Sequence, residues 1–276
     1  VSWVLLGGLS AAWAGAWTRP AGDAYVKVFS EAYATTRYVA PDAEALPATY
    51  RGLQSGAYAE VGLVDRLQLA VSAPLVVGSS VTTVDSLGDT FDVRTTSVAF
   101  GDLWLGPQVA LHPEVPLSAR VDVKVPLYGL AAIGARDPVY GVLYPAPGDG
   151  QVDAVPWVAA GTAAGVVFAE AAVGWAFRTG LGFDAEARSF GDGPTALLKG
   201  GASSKGWLGW ASVDGRWALW QRDETRQWVA AAIGGGRHLT GGLMLEARVM
   251  AELYTRAVSQ GVGGGLGVSW QPPRDE

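Results

Sequence analysis

The chain has 276 residues, 49% of them hydrophobic and only 17% charged, with 38 glycines and a formal net charge of −6. Charge is sparser than the ~25% of ordinary soluble domains, and glycine is about twice its usual ~7% without a collagen triplet or a Gly/Ser tract, which excludes a disordered chain and a fibre. A negative balance with no Lys/Arg run excludes a phosphate-tracking nucleic-acid binder, and the absence of cysteine excludes disulfides, thiolate metal sites and a Cys nucleophile.

In chain order, residues 1–16 come first. Val1 to Leu9 are apolar, and Ala12-Trp13-Ala14 and Ala14-Gly15-Ala16 each offer a small-x-small cleavage site before the polar Thr18-Arg19-Pro20. The segment reads as a secretory signal, and it falls short of the ~20 apolar residues that a spanning helix needs. Twelve strands are then predicted, over 23–36, 52–63, 66–78, 98–111, 117–129, 151–162, 166–180, 194–203, 206–220, 227–238, 242–256 and 261–270, with residues 271–276 as a tail. A barrel over 17–270 is thus expected to follow the signal almost directly, with no room for an N-terminal plug domain.

Two of these segments carry the period most clearly. Leu117, Ala119, Val121, Val123, Val125 and Leu127 alternate with Ser118, Arg120, Asp122, Lys124 and Tyr128. Leu243, Leu245, Ala247, Val249, Ala251 and Leu253 alternate with Met244, Glu246, Arg248, Met250, Glu252 and Tyr254. A helix would spread those charges around its circumference, whereas a strand places the apolar set on one face and the polar set on the other. Between them, the apolar run from Ala154 to Phe177 contains Pro156, Gly161, Gly165 and Glu170, which one spanning helix would have to tolerate and two strands meeting at Gly161 to Gly165 would not.

The connections alternate in length. Short ones fall at Val64-Asp65, His112 to Pro116, Ala163 to Gly165, Ser204-Lys205 and Leu239 to Gly241. Long ones fall at Arg37 to Arg51, Ser79 to Ser97, Leu130 to Gly150, Leu181 to Gly193, Gln221 to Arg226 and Ala257 to Gln260. Short periplasmic turns opposite long extracellular loops characterise bacterial outer-membrane barrels, so the expected fold is all-β, an antiparallel transmembrane β-barrel of about twelve strands with both termini in the periplasm. Trp207 and Trp210 at one end of a strand, Trp217 and Trp220 at the other, Trp228 at the outer level and Trp270 at the inner one are expected as interface girdles.

The face opposite the apolar one is expected to line the lumen with Lys27, Glu31, Glu60, Arg66, Asp102, Arg120, Asp122, Lys124, Glu170, Arg178, Glu246, Arg248, Glu252 and Arg256. Such rings either set the selectivity of a channel or form a salt-bridged network that fills the bore, and both readings stay open. An outer-membrane hydrolase would need a nucleophile beside a histidine on the outer side. The two histidines, His112 and His238, instead fall beside predicted periplasmic turns, so no catalytic residue, metal or cofactor is expected. Asp85, Asp89, Asp92, Asp137, Asp149, Asp184, Glu186, Asp192, Asp223 and Glu224 lie in the long loops without a calcium-loop spacing and read as a solvated acidic rim. Gly234-Gly235-Gly236 and Gly263-Gly264-Gly265 have no helix after them to make a phosphate loop, and are expected to permit bends or close backbone approach within strands.

Several short motifs resemble one family. Trp17-Thr18-Arg19-Pro20 with Gly22, Tyr58-Ala59-Glu60-Val61-Gly62-Leu63 with Asp65-Arg66-Leu67, Gly101-Asp102-Leu103 with Leu105-Gly106, and Gly148-Asp149-Gly150-Gln151 with Asp153 are similar in order and spacing to bacterial outer-membrane barrels grouped as "meta-pathway of phenol degradation". They cover about a seventh of the chain. The tail Gln271 to Glu276 departs from the usual aromatic C-terminus, so the assembly signal is expected to end at Trp270. The resemblance implies an exported barrel that passes small aromatic or hydrophobic compounds, and it carries no catalytic residue. The functional expectation is an outer-membrane channel or transporter for small molecules, a monomer by default, whose partners are membrane lipid and a small solute. The alternative is a structural or adhesive barrel with a filled lumen acting through its extracellular loops.

Overall fold

The computed structural model describes residues 15–40, 42, 44–86, 89–129, 132, 134–178, 191–219 and 226–272. The chain runs through β1 (Ala24–Val39), β2 (Ala45–Val64), β3 (Leu67–Ser86), β4 (Asp89–Phe100), β5 (Asp102–Ala110), β6 (Leu117–Pro126) and β7 (Asp153–Ala164). It continues through β8 (Val167–Arg178), β9 (Gly193–Ser204), β10 (Trp207–Arg216), β11 (Gln227–His238), β12 (Leu243–Arg256) and β13 (Val258–Trp270). The pairings are antiparallel, and β1 closes the sheet on itself, since Glu31 stands opposite Gln54 of β2 on one side and Gly265 of β13 on the other.

β4 and β5 are the outer and inner parts of one wall strand interrupted at Gly101. β4 pairs with the outer part of β3, from Leu75 opposite Phe100 to Ser86 opposite Asp89. β5 pairs with the inner part, from Leu67 opposite Val109 to Ser72 opposite Trp104. A Cβ on Gly101 would stand 3.0 Å from the Pro74 and Val76 side chains, so a larger residue fits at this break only if they give by a few tenths of an ångström. Counted this way, twelve strands close the wall among the described residues, as the sequence period predicts.

The wall is uneven in height. β6 and β10 have 10 residues each, whereas β2 and β3 have 20. Ten residues at ~3.3 Å each, tilted by ~40°, rise roughly 25 Å, enough for an outer-membrane apolar band, so β2 and β3 stand well clear of it. This corrects two predicted loops, because most of Arg37 to Arg51 and of Ser79 to Ser97 is strand. Above a membrane both strand faces meet water, so the apolar/polar alternation that marks a strand disappears; Thr83 Oγ1 donates to Asp92 Oδ1 at 2.8 Å there, and Thr90 Oγ1 to Asp85 Oδ1 at 2.7 Å.

Within the apolar band the two faces separate as expected. On β12, Leu245, Val249 and Leu253 are about half exposed on the outside, while Arg248 and Glu252 are buried on the inside. A register shift opposite Val229 and Ala230 inserts one extra residue on β12 after Glu252. Parity therefore changes: Tyr254 joins the outer face, Thr255 turns inward, and Arg256 leaves the lumen-facing series to which the unbroken alternation assigned it.

Candidate functional site

The lumen has two chemically different sides. On the side of β1, β12 and β13, the inward positions of β13 are Gly261, Gly263, Gly265 and Gly267, which leave an empty seam. Side chains of β1 cross it to reach β12: Lys27 Nζ donates to Glu246 Oε2 at 2.6 Å, Tyr25 Oη to Glu246 Oε1 at 2.7 Å, Arg248 pairs with Glu31, and Tyr33 Oη donates to Glu252. A Cβ on Gly267 would stand 2.7 Å from the Lys27 stem, and one on Gly265 2.4 Å from Glu31, so the glycines are what lets these pairs span three strands.

On the opposite side, near the outer ends of β5 to β8, one cluster takes in a loop. Residues 142–151 fold into the barrel instead of projecting outward, with Val142, Pro145, Ala146, Asp149 and Gln151 all buried. Thr95 and Ser97 of β4 hold this loop by donating to the carbonyls of Leu143 and Pro145, at 3.0 and 2.6 Å. Asp149 pairs with both Lys124 of β6 and Arg178 of β8. Asp153 pairs with the same two cations, at 3.0 Å from Lys124 Nζ and 3.2 Å from Arg178 Nη2. Tyr128 Oη donates to Asp102 at 3.0 Å and accepts the Gly150 amide at 2.8 Å. Burial alone would raise the Asp149 pKa, but the charges of Lys124, Arg178 and Arg226 outweigh it and hold this carboxyl well below the ordinary carboxylate range. Tyr128 is pushed the other way, by burial and by the neighbouring carboxylates of Asp102 and Asp149.

The inner half is crossed by the N-terminal segment. The Gly15 carbonyl accepts from Gln108 Nε2 at 2.6 Å and Ser118 Oγ at 3.3 Å, the Arg19 amide donates to Gln68 Oε1 at 2.7 Å, and Arg19 Nε donates to Glu60 Oε2 at 2.6 Å. Ala16 is 1% exposed, and Gly161 of β7 leaves the space that the Trp17 ring fills. A short crossing segment occupies the inner half, where the sequence, read as strands starting directly after the signal, leaves no room for a plug domain. It needs no domain, only six residues laid along inward glutamines and glutamates.

Between the inward loop and this segment lies a cavity of about 150 Å³. Val76, Trp104, Val155, Trp157 and Leu197 give it one apolar wall, and ionisable side chains, among them Arg120, Asp122, Lys124, Asp153, Asp214 and Arg216, line the rest. A cavity of ~150 Å³ has room for a benzene-sized molecule.

Of the predicted lumen residues, Lys27, Glu60, Asp122, Lys124, Glu170, Arg178, Arg248 and Glu252 are buried on the inner face, and Glu31, Asp102, Arg120 and Glu246 are partly buried there. Arg66 is not among them: it sits at φ 70° in the exposed turn between β2 and β3. The aromatic girdle also needs correction. Trp207 (59% exposed), Trp217 and Trp270 face outward, but Trp210 and Trp228 share inward parity with Ser212 and Asp214 and with Ala230 and Ala232. Trp210 fits inside because its cross-strand neighbours are Gly201 and Gly234, and Lys199 Nζ lies 5.5 Å from its ring centroid. Trp220 lies outside the described residues, as do Asp184, Glu186, Asp223 and Glu224 of the acidic rim. Asp149 is no rim residue, and Asp192 accepts the Arg178 amide at 2.7 Å.

Sequence reasoning missed Asp153, Lys199, Asp214 and Arg216 on the wall, although the parity of their own strands marks them as inward. Parity also marks Gln68 and Gln108 as inward, but no signal showed that their amides bond each other, at 3.1 Å, beneath the N-terminal segment. His112 Nδ1 accepts the amides of Glu114 and Val115 within its inner turn, at 3.1 and 3.0 Å.

No family model matches the chain, and no curated protein matches it. Among solved structures, it is similar to an outer membrane channel from Pseudomonas putida F1 at 14% identity, with a TM-score of 0.64, over 92% of this chain and 97% of that one. More distant similarities include a monoaromatic hydrocarbon channel, at 8% identity and TM-score 0.49 over 94% and 90% of the two chains. A toluene transporter from Ralstonia pickettii aligns at 8% identity and TM-score 0.46 over 93% and 90%. At these identities the likeness is one of fold: a closed antiparallel barrel of the outer-membrane kind.

Proposed function

We propose that this protein is an outer-membrane channel for small solutes of single-ring size, apolar or weakly polar, with a lumen gated from both ends. The observation that carries this is the cavity walled on one side by Trp104, Trp157, Val76, Val155 and Leu197 between the inward loop and the N-terminal segment. A structural barrel with a filled lumen would not leave a chamber with an aromatic wall at mid-height, and one acting through its outer loops would not bury residues 142–151 inside. The aromatic wall suits a flat ring through stacking or edge contacts. The motifs shared with the "meta-pathway of phenol degradation" barrels, and the fold shared with an outer membrane channel, support the same reading. The chain is read as a monomer without catalytic residues.

Export through the N-terminal leader belongs to this proposal, and residues 1–14 lie outside the described ones. Cleavage after Ala14 would retain the Gly15 carbonyl that Gln108 and Ser118 hold, whereas cleavage after Ala16 would remove it. N-terminal sequencing of the mature protein is expected to begin at Gly15.

The test of function is single-channel recording from refolded, heat-modifiable protein in planar bilayers, with phenol-sized solutes added afterwards. Discrete current steps blocked by single-ring aromatics, and not by a disaccharide, are expected. Persistent silence from folded protein, or currents that both solutes block alike, would overturn the reading.

A further inference from the structure

The lipid-facing wall carries a groove just above its inner rim, on β10 to β13 and β1. Its floor is Gly235 opposite Ala247, continued by Gly209, and its sides are Trp207, Leu245, Leu266, Val268 and Val28. Leu266 is 71% exposed, so these side chains stand away from the wall around a hollow instead of filling it. An apolar hollow on a membrane-facing sheet is filled by hydrocarbon or by another protein.

Two cations stand at its inner end. The Arg237 guanidinium lies over the Trp207 ring, 4.7 Å from the centroid, and Arg237 Nη1 donates to the Lys205 carbonyl at 3.3 Å. Lys205 occupies the β9–β10 turn at φ 50° and is exposed. Among the described residues no carboxylate forms an ion pair with either cation. The indole holds the guanidinium at the inner end of the groove, at the level where a membrane's headgroups begin.

We propose that this groove binds one phospholipid of the inner leaflet, with an acyl chain lying across Gly235 and Ala247 and the phosphate diester against Arg237 and Lys205. The inference rests on the reading of the barrel as a membrane-spanning channel. Charge decides the occupant: a second copy of the chain would bring its own Arg237 and Lys205 toward this rim, whereas a phospholipid brings an anion directly joined to the hydrocarbon that the hollow accepts. A guanidinium presents a rigid planar fork that matches two phosphate oxygens, whereas an ammonium on a flexible stem acts as a point charge, so Arg237 is the main contact.

The test is native mass spectrometry of the full-length barrel extracted from vesicles of phosphatidylethanolamine containing phosphatidylglycerol, with insertion checked by heat-modifiability. Wild type is expected to retain one phosphatidylglycerol. The double variant Arg237→Gln/Lys205→Gln should bind it about 25-fold more weakly, roughly fivefold for each charge removed. Ala247→Leu, which fills the floor without altering charge, should also lose the lipid, while Arg66→Gln in another inner turn should retain it. Equal retention by all four proteins, or a wild type that emerges as a lipid-free dimer, would overturn the lipid site while leaving the channel reading intact. A wild type that fails to insert at all would overturn both.

Discussion

The two sides of the lumen use the same residue types to different ends. Along the β13 seam every ion pair joins wall to wall: Lys27 and Glu31 leave β1, cross glycines and meet Glu246 and Arg248 on β12, so the pairs move only if the barrel does. Across the bore, Lys124 and Arg178 divide themselves between Asp153, which is wall, and Asp149, which belongs to a loop. Wall-to-wall pairs can only line a passage. A wall-to-loop pair can also close one, because its partner can leave.

The sharpest way to break this comparison is to remove the loop's charge. Truncating one partner of a buried ion pair costs about 3–5 kcal/mol, because the remaining charge is left uncompensated. Asp149→Ala should therefore unseat residues 142–151 and raise the open probability at least about tenfold, read as the fraction of recording time spent in the conducting state. Next in size is a test of the wall that both sides share. Val249→Arg places a charge on the lipid face and should impair membrane insertion by about 2–4 kcal/mol in a denaturant-dependent folding assay, whereas Met250→Arg, one position on and facing the lumen, should cost clearly less; equal penalties would sink the face assignment.

A smaller effect is expected at the inner end. Arg19→Ala removes a charged hydrogen bond to Glu60 worth about 1.5–3 kcal/mol, and brief openings should become more frequent without a change in ion selectivity. Acid should have less effect still. A carboxyl held below its ordinary value of 3.8 contributes to loop seating fully above that value, and that contribution fades only as pH falls through the lower, seated value. Asp149 should thus still be ionised at pH 4.5, and Asp149→Ala should raise the open probability over wild type by the same factor at pH 7 and pH 4.5; a factor that vanishes at pH 4.5 would contradict the Asp149 lock. Smallest of all, Lys27→Gln on the seam should shift the cation/anion permeability ratio by a factor on the order of two and leave gating unchanged.

Most of the wall was legible in the sequence because the bilayer enforces a period of two wherever it touches a strand. The alternation in Leu117 to Tyr128 and in Leu243 to Glu252 gave both faces correctly. Legibility ended where that constraint ends. Above the membrane, Thr82 to Asp85 and Asp89 to Asp92 leave the apolar band and read as loop. At Leu253 a single inserted residue reversed the faces for Tyr254 to Arg256. Trp210 and Trp228 were placed by residue type, although the parity they share with Asp214 and Ala230 already marked them as inward.

The gate was the least legible part, for a different reason. Nothing local distinguishes a loop that turns into a barrel from one that turns out, because what draws Asp149 inward is a pair of cations on β6 and β8, one 25 residues before it and the other 29 after. The N-terminal segment is similar: Gly15 to Pro20 carries no period, and its seat is made by Gln68, Gln108 and Ser118, side chains that are unremarkable one at a time.

One measurement tests the gate most directly: single-channel recordings of wild type, Asp149→Ala and Lys27→Gln in the same planar bilayers at pH 7. The expected result is long closures in wild type and Lys27→Gln and an open probability at least about tenfold higher in Asp149→Ala. Equal open probability in all three would show that the two sides of the lumen are alike and that the loop is not the gate.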